Sequence, residues 1–229
     1  MQRQIKSGAA AIALALAALA VPVTSLAQGR PAAMVEEVKN APGAGVEFTD
    51  YVFPGQRIQL GPRGELKLSY LASCRSETIR GGTVTIGESQ SSVAGGRVEG
   101  AEKPCDTKRF TASVQTAEAG AGVKRLTPFD SKSWAEVALA SPRPIFRWEG
   151  KGNASIRILD ENRRPVWSAT TPKSFAEYPA NAPPLEPGAP YVVEVSGLGA
   201  PLYARFSIDP DLEIADTVAN RTVPLTRGP

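Results

Sequence analysis

The stretch Glu65-Leu-Lys-Leu-Ser-Tyr70 alternates polar and apolar side chains at every position. Because successive side chains of a β-strand point to opposite faces, this pattern places Leu66, Leu68 and Tyr70 on one face and the polar residues on the other. The stretch therefore predicts a β-strand that is buried on one side only.

The same alternation recurs later in the chain, in 191–195 and in Leu202–Ile208. Gly and Pro occur 21 and 20 times and separate short apolar runs, as turns between strands do. Hydrophobic residues make up 42% of the chain, enough to form packed cores. We predict an all-β fold with further strands at 34–39 (a strand or a short helix), 46–53, 57–60, 76–79, 83–86, 97–99, 136–139, 145–148, 154–159 and 165–169.

Changes in composition predict the domain organisation. Residues 34–106 form a first small β-domain, and 107–131, with the small residues of 117–122, form a linker. Residues 132–210 form a second β-domain. Residues 211–229 are expected to be a tail that frays at its end, with one short helix within 211–220.

The first 27 residues predict a signal peptide. Arg3 and Lys6 precede an apolar run over 9–23, and Ser25-Leu-Ala27 places small residues at a cleavage site. An uncleaved anchor is the alternative, but spanning a bilayer takes roughly 20 apolar residues and this shorter run contains Pro22. We expect cleavage, a periplasmic or secreted product, and no transmembrane span after cleavage.

Charge and the lack of histidine narrow the functional classes. The chain has 26 Lys and Arg against 23 Asp and Glu, a balance that disfavours electrostatic binding of nucleic acid. It contains no His, which removes Ser-His-Asp and Cys-His catalysis and the commonest transition-metal ligand. We therefore predict no catalytic residue, cofactor or metal.

Cys74 and Cys105 are the two cysteines of the chain. An even count in an exported protein predicts a disulfide. A redox or metal pair is the alternative, but the two residues do not form a C-x-x-C motif.

Three groups of residues invite a catalytic or ligand-binding interpretation, and each has a simpler one. The acidic residues after the last predicted strand suggest a Ca²⁺ site, but solvation explains them equally and their spacing does not match an ordered Ca²⁺ loop. The Gly and basic residues of 120–125 lack phosphate-loop spacing and fit a linker. Two Ser and Lys pairs lack the S-x-x-K spacing of a dyad. These groups comprise Asp209, Asp211, Glu213 and Asp216; Gly120, Gly122, Lys124 and Arg125; and Ser69 with Lys67 and Ser131 with Lys132.

Residues 160–163 predict a polar hairpin turn between two strands. Arg163, Arg164 and Trp167 lie around its tip with Glu161, and Trp and Arg are enriched in binding hot spots. The three are therefore candidate partner-binding residues. Alternatively, Trp167 is a core residue that packs against Trp148.

The segment Tyr51-Val-Phe-Pro-Gly-Gln-Arg-Ile-Gln-Leu-Gly-Pro-Arg-Gly-Glu-Leu-Lys-Leu-Ser-Tyr70 resembles the FecR-like periplasmic domain in its order of strand, Gly-containing turn and alternating strand. The later Gly81-Gly-Thr-Val-Thr-Ile-Gly87 is compatible with that family. The resemblance implies a β-rich module outside the cytoplasm over 34–106.

The segment from Ser141-Pro-Arg-Pro-Ile-Phe-Arg-Trp148 to Leu185-Glu-Pro-Gly-Ala-Pro-Tyr-Val-Val-Glu-Val195 resembles a fibronectin type III-like sandwich of the immunoglobulin kind. Trp148 matches the core Trp of an early strand. Leu185 and Tyr191 match the turn and tyrosine before a late strand, where the hydroxyl can bond back to the backbone. The resemblance implies a fold for 132–210, and such sandwiches host many functions.

Together these features predict an exported bacterial envelope protein that acts as a binding or assembly module. Its partner would be an envelope protein or a cell-surface polymer, held by loops or by an exposed strand edge. Two alternatives stay open: a periplasmic sensor that signals through a separate membrane partner, and a His-independent envelope hydrolase with paired carboxylates.

Overall fold

A computed structural model describes residues 29–105 and 136–227 of the chain, where nearly all of the regular secondary structure is β-strand. The first eight strands form two antiparallel sheets, with strand orders β2-β1-β4-β5-β8 and β3-β6-β7. We call them together the N-terminal β-unit. Its strands are β1 Ala33–Lys39, β2 Tyr51–Val52, β3 Arg57–Gln59, β4 Glu65–Tyr70, β5 Arg75–Arg80, β6 Thr83–Ile86, β7 Ser91–Ala94 and β8 Arg97–Glu102.

The alternation of β4 predicts the inner face of this unit correctly. Leu66, Leu68 and Tyr70 are at most 2% exposed and pack between the two sheets. Across β4, Ile79 of β5 is paired with Leu66, and Val84 of β6 closes the core from the other sheet. The predicted face and the strand itself are confirmed.

The remaining strands form a second pair of sheets, the C-terminal β-unit. Its sheets have the orders β12-β11-β14-β15-β9 and β13-β10-β16. Two pairings are parallel, β9 with β15 and β10 with β16. The elements are β9 Glu136–Leu139, β10 Ile145–Arg147, β11 Ala154–Leu159, β12 Pro165–Thr171, β13 Phe175–Glu177, β14 Pro190–Ser196, β15 Leu202–Ile208, helix α1 Val218–Arg221 and β16 Thr222–Pro224.

This second unit has its own hydrophobic core. Phe146, Trp148 and Phe206 are at most 1% exposed at its centre. Both predicted apolar faces, that of 191–195 and that of Leu202–Ile208, point into this core. The all-β fold is therefore confirmed, with one core per unit.

Residues 217–225 differ from the predicted tail. β16 pairs with β10, and Val223 is fully buried in the second core. Asn220 and Thr222 are also buried, and α1 covers 218–221 rather than the wider range expected. This segment carries the apolar residues Val218, Val223 and Leu225, and packing them against the strands of the two units removes them from water.

The predicted strand over 46–53 is reduced to Tyr51–Val52. Thr49 has a φ of 70°, which no extended strand allows. The Asp50 carboxylate accepts a hydrogen bond from the Glu47 N–H at 2.8 Å, so residues 47–50 form a turn. Strands β7, β13 and β16 were not predicted.

The two units touch along a small apolar contact. Met34 and Leu71 of the first unit pack against Ala219 of α1. Phe48 meets the ring of Phe175 edge to face, with centroids 5.0 Å apart. The C-terminal segment therefore belongs to the core of one unit and to the contact with the other.

The predicted signal peptide at 1–27 and the whole predicted linker at 107–131, with its glycines, lie outside the described residues. Within 29–105 and 136–227, no helix is long and apolar enough to cross a membrane. The domain boundaries as such stay a prediction.

Candidate functional site

Strand β8 is the most accessible strand edge of the N-terminal β-unit. All six of its residues are exposed, and the large apolar side chain of Val98 is 40% exposed. Among the described strands, β8 pairs with β5 alone, so its second edge offers unpaired backbone groups. Such an edge can accept a strand from another chain.

The edge is held along its length and at its C-terminal end. β8 pairs with β5 over the whole range from Arg75↔Glu102 to Arg80↔Arg97. The disulfide between Cys74 and Cys105 joins the start of β5 to the segment after β8, with Cα atoms 5.6 Å apart. The Lys103 N–H also donates to the Cys74 carbonyl at 2.8 Å. The predicted disulfide is therefore present, and it fixes the end of this edge.

The outer face of β8 carries charge. Arg80 of β5 pairs with Glu65 at 3.0 Å and with Glu99 of β8 at 3.3 Å. Arg97 lies directly opposite Arg80 in the register and makes no ion pair with a described residue. Like charges that face each other across strands are destabilising, so a carboxylate beside Arg97 would be favourable, and the described part of the chain places none there.

The inner face of β8 lies over a buried ionic cluster. Glu77 of β5 is 1% exposed and accepts from Arg75 Nε at 2.9 Å and from the Ser91 N–H at 3.1 Å. A Cβ at Gly100 would collide with the Arg75 guanidinium, so glycine is what lets this side chain lie across β8. The paired and hydrogen-bonded carboxylate ties β5 to β7 of the facing sheet.

Tyr70 completes that cluster. Its hydroxyl is 2.8 Å from the Ser91 Oγ, and its ring is 2% exposed. Burial raises the pKa of Tyr70 to about 12, because the phenolate would lie in a nonpolar environment. Tyr70 and the paired Glu77 therefore join the two sheets.

The predicted hairpin turn is present between β11 and β12. Asp160 Oδ1 accepts from the N–H of Asn162 at 2.9 Å and of Arg164 at 2.8 Å. Arg163 has a φ of 61°, the left-handed conformation that such a tip needs. The side chains of Arg163 and Arg164 are exposed there, and their role in partner binding stays a prediction.

Trp167 is only partly buried. The aromatic rings that it contacts are not that of Trp148, the neighbour expected for a core residue. It stacks on Phe146 with ring centroids 6.4 Å apart and meets Tyr178 edge to face at 5.6 Å. Trp148 instead lies in the centre of the same core. The indole of Trp167 thus covers one side of the core, and an anchor role for it stays a prediction.

A cleft of about 590 Å³ lies beside the hairpin. Its wall includes the carboxylates of Asp160, Glu161 and Glu186, together with Val166 of β12. The Asp160 carboxylate already accepts the hydrogen bonds of the turn. None of the three acidic residues is buried. The cleft is an acidic, open surface.

The predicted tyrosine corner is present. The Tyr191 hydroxyl accepts a hydrogen bond from the Glu186 N–H at 3.0 Å, five residues upstream. Leu185 beside it is 2% exposed and belongs to the second core. These residues lock the turn before β14, a structural role.

The alternative sites weighed in the sequence do not assemble. Ser69 donates to Glu36, while Lys67 is ion-paired with Glu37 at 2.9 Å. The hydrogen bond that Lys67 donates to Glu37 raises the pKa of Lys67, whereas a general-base lysine needs a lowered pKa. Ser131 and Lys132 lie outside the described residues.

The acidic residues after β15 are likewise dispersed. Asp209 caps the backbone of Asp211 at 3.1 Å, and Asp216 lies 3.7 Å from Arg221. No group of three or more acidic or cysteine side chains in the described ranges is placed to hold a metal ion.

No protein-family model, curated protein or solved structure matches this chain. Interpretation of its function therefore depends on the architecture and on the contacts described above. Of these features, an exposed strand edge was predicted from the sequence, but β8 was not identified as that edge. Its signal in the sequence is a polar strand next to glycines, at Gly95, Gly96 and Gly100.

Proposed function

We propose that this chain is an exported cell-envelope protein that binds a partner by strand addition along the free edge of β8. The observation that carries the proposal is the complete exposure of β8 together with its single neighbour among the described strands. Main-chain hydrogen bonds supply affinity in strand addition, and side-chain contacts supply specificity.

The disulfide supports the compartment part of the proposal. Disulfides persist in the periplasm and outside the cell and are rare in reducing cytosol. The Cys74–Cys105 bridge fixes the start of β5 and the end of β8, so oxidation would preserve the edge that binds. Export by the signal peptide predicted at 1–27 agrees with this.

For the C-terminal β-unit we infer an immunoglobulin-like or fibronectin type III-like sandwich. The order β12-β11-β14-β15-β9 supports it, because immunoglobulin sheets place the C′, C, F and G strands in this sequence. The buried Trp148 and the hydroxyl bond of Tyr191 support it as well. In this proposal the sandwich is a rigid carrier for the binding unit.

Site-specific photo-crosslinking tests the binding proposal. A photoreactive residue is placed at Val98 on β8 or, as the matched control, at Val166 on the edge strand β12. The two valines are similarly exposed, at 40% and 43%. We expect a discrete adduct in the native envelope from position 98 and none from position 166.

A second variant separates strand addition from nonspecific contact. Val98→Lys adds a charge to the edge, a common device by which proteins prevent strand pairing. It should abolish the adduct formed from a neighbouring position on β8, while Val166→Lys should leave it intact. Equal adducts from both edges, or an adduct insensitive to Val98→Lys, would overturn the proposal.

A further inference from the structure

The sequence around the free edge is complementary to itself. Residues 96–100 read Gly-Arg-Val-Glu-Gly, so that a cation and an anion flank a central valine symmetrically. We propose that the partner strand at β8 is β8 of a second copy of this chain, which rests on the proposed function above. The two strands would run antiparallel about a two-fold axis through Val98.

Symmetry restricts how two identical strands can pair. Opposite side chains of an antiparallel pair point to the same face of the sheet, and a two-fold axis perpendicular to the sheet preserves the face. One residue must therefore lie opposite its own copy. With Val98 in that position, Arg97 of each chain lies opposite Glu99 of the other, so two ion pairs flank an apolar contact.

The neighbouring registers are less favourable. Centring the pair on Arg97 or on Glu99 places like charges directly opposite each other, which is destabilising. Centring it on Gly100 sets Arg97 against Lys103 of the other copy. Centring it on Ala101 brings Pro104, which has no N–H to donate, into the ladder.

The same register completes the charge pattern on the outer face. Within one chain, Arg97 lies opposite Arg80, and Glu99 already pairs with Arg80 at 3.3 Å. A second copy would supply Arg97 with a carboxylate, which none of the described residues of its own chain provides. It would also cover Val98. This valine is paired with Ile79 of β5, which lies on the same inner face and is fully buried.

The glycines of the edge fit this register. Arg75 fills the space on the inner face of Gly100 and is bonded to Glu77, and Gly100 lies opposite Gly96 of the other copy, so no pair of side chains has to be accommodated there. Pairing would join the two five-stranded sheets into one continuous sheet of ten strands. Because a single short strand supplies each half of the interface, we expect a weak dimer in reversible equilibrium with the monomer.

Analytical ultracentrifugation of the full mature chain over a wide concentration range, with charge-swapped variants, tests this inference. Arg97→Glu places Glu against Glu across the axis, and Glu99→Arg places Arg against Arg. Each single variant should sediment as a monomer at concentrations where the wild-type chain is a dimer. Circular dichroism and Tm verify that both variants are folded.

Mixing the two variants provides the decisive measurement. In the mixed pair, the two acidic side chains of one variant face the two basic side chains of the other, so a heterodimer should form although neither variant dimerises alone. The double variant Arg97→Glu/Glu99→Arg should recover the homodimer. Arg63→Glu, a charge reversal on the exposed turn before β4, is the matched control and should leave dimerisation unchanged.

A wild-type chain that stays monomeric at every concentration, or variants that fail to associate on mixing while the wild type dimerises, would overturn the inference. The experiments distinguish failure of strand addition at β8 from failure of pairing with a second copy. A monomer that still forms an envelope adduct from position 98 refutes the second copy and retains strand addition. Failure of both the adduct and the dimer refutes strand addition as well.

Discussion

A carboxylate oxygen of Glu36 in β1 accepts a hydrogen bond from the backbone N–H of Val218 in α1, at 3.1 Å and across 182 positions of sequence. The register of β1 shifts between Val35 and Glu37, and this bulge includes Glu36. The same oxygen accepts from the hydroxyl of Ser69 in β4. The bulge in β1 thereby fixes the first turn of α1, the helix through which the C-terminal segment contacts the N-terminal β-unit.

Removal of this carboxylate should loosen the C-terminal segment. Glu36→Ala leaves the Ser69 hydroxyl and the Val218 N–H without their acceptor, which should lower the free energy of unfolding by about 1–3 kcal/mol. Hydrogen exchange should accelerate over residues 217–222. Glu37→Ala is the control, because ion pairs at the surface, such as those of Glu37 with Lys39 and Lys67, contribute little to stability. Equal exchange in both variants would show that Glu36 does not hold α1.

Reduction of the disulfide should destabilise the N-terminal β-unit selectively. Cys74 and Cys105 are 31 positions apart, and closing a loop of this length stabilises a fold by roughly 3–4 kcal/mol in the chain-entropy model. Scanning calorimetry of the Cys74→Ser/Cys105→Ser variant should show a lower Tm for this unit. The fluorescence of Trp148 and Trp167, which reports the C-terminal β-unit, should change little. An equal loss in both units would indicate that they unfold together.

The hydroxyl of Tyr191 should stabilise the C-terminal β-unit. Tyr191→Phe leaves the Glu186 N–H without its acceptor at 3.0 Å, which should cost about 1 kcal/mol. Urea denaturation followed by Trp fluorescence should show a lower midpoint with an unchanged m-value. An unchanged midpoint would show that the hydroxyl bond contributes nothing to the corner.

Tyr70 should make the N-terminal β-unit sensitive to alkali. Burial raises the pKa of Tyr70 to about 12, from an ordinary value of 10.0. Its stabilising effect is then complete below pH 10 and is lost as the pH rises towards 12, because the unfolded chain ionises first. A shift of this size corresponds to about 2–3 kcal/mol.

Comparison of the wild type with Tyr70→Phe isolates this effect. The phenylalanine variant cannot ionise at that position, so the difference in unfolding free energy between the two proteins should narrow above pH 10. Denaturant titrations at a series of pH values, followed by far-ultraviolet circular dichroism, measure it. Parallel curves would mean that Tyr70 ionises as readily in the folded chain as in the unfolded one.

Strands with regular alternation could be predicted from the sequence, and short strands without it could not. Glu65–Tyr70 and Leu202–Ile208 have their expected bounds and faces because a half-buried strand imposes a period of two. Phe175–Glu177 and Thr222–Pro224 are three residues long and owe their strand conformation to the neighbours they pair with. Such context overrides local preference.

The candidate site was less predictable than the fold. A strand was expected at 97–99, but its place at the edge depends on sheet order, which distant pairings decide. The contact of Glu36 with Val218 likewise joins residues that share no local pattern. By contrast, the disulfide and the Tyr191 corner could be predicted from the sequence, because each depends on a residue type with few alternative roles.

The two parallel pairings of the C-terminal β-unit have a mechanical consequence. β9 and β16 are its first and last strands, and they lie parallel to β15 and β10. Tension applied between residues 136 and 227 therefore has to pass through these two parallel pairings before it reaches the strands between them. The unit can be drawn out from its ends only by detaching β9 from β15 or β16 from β10. These two short ladders are thus the first part of the unit to bear a mechanical load.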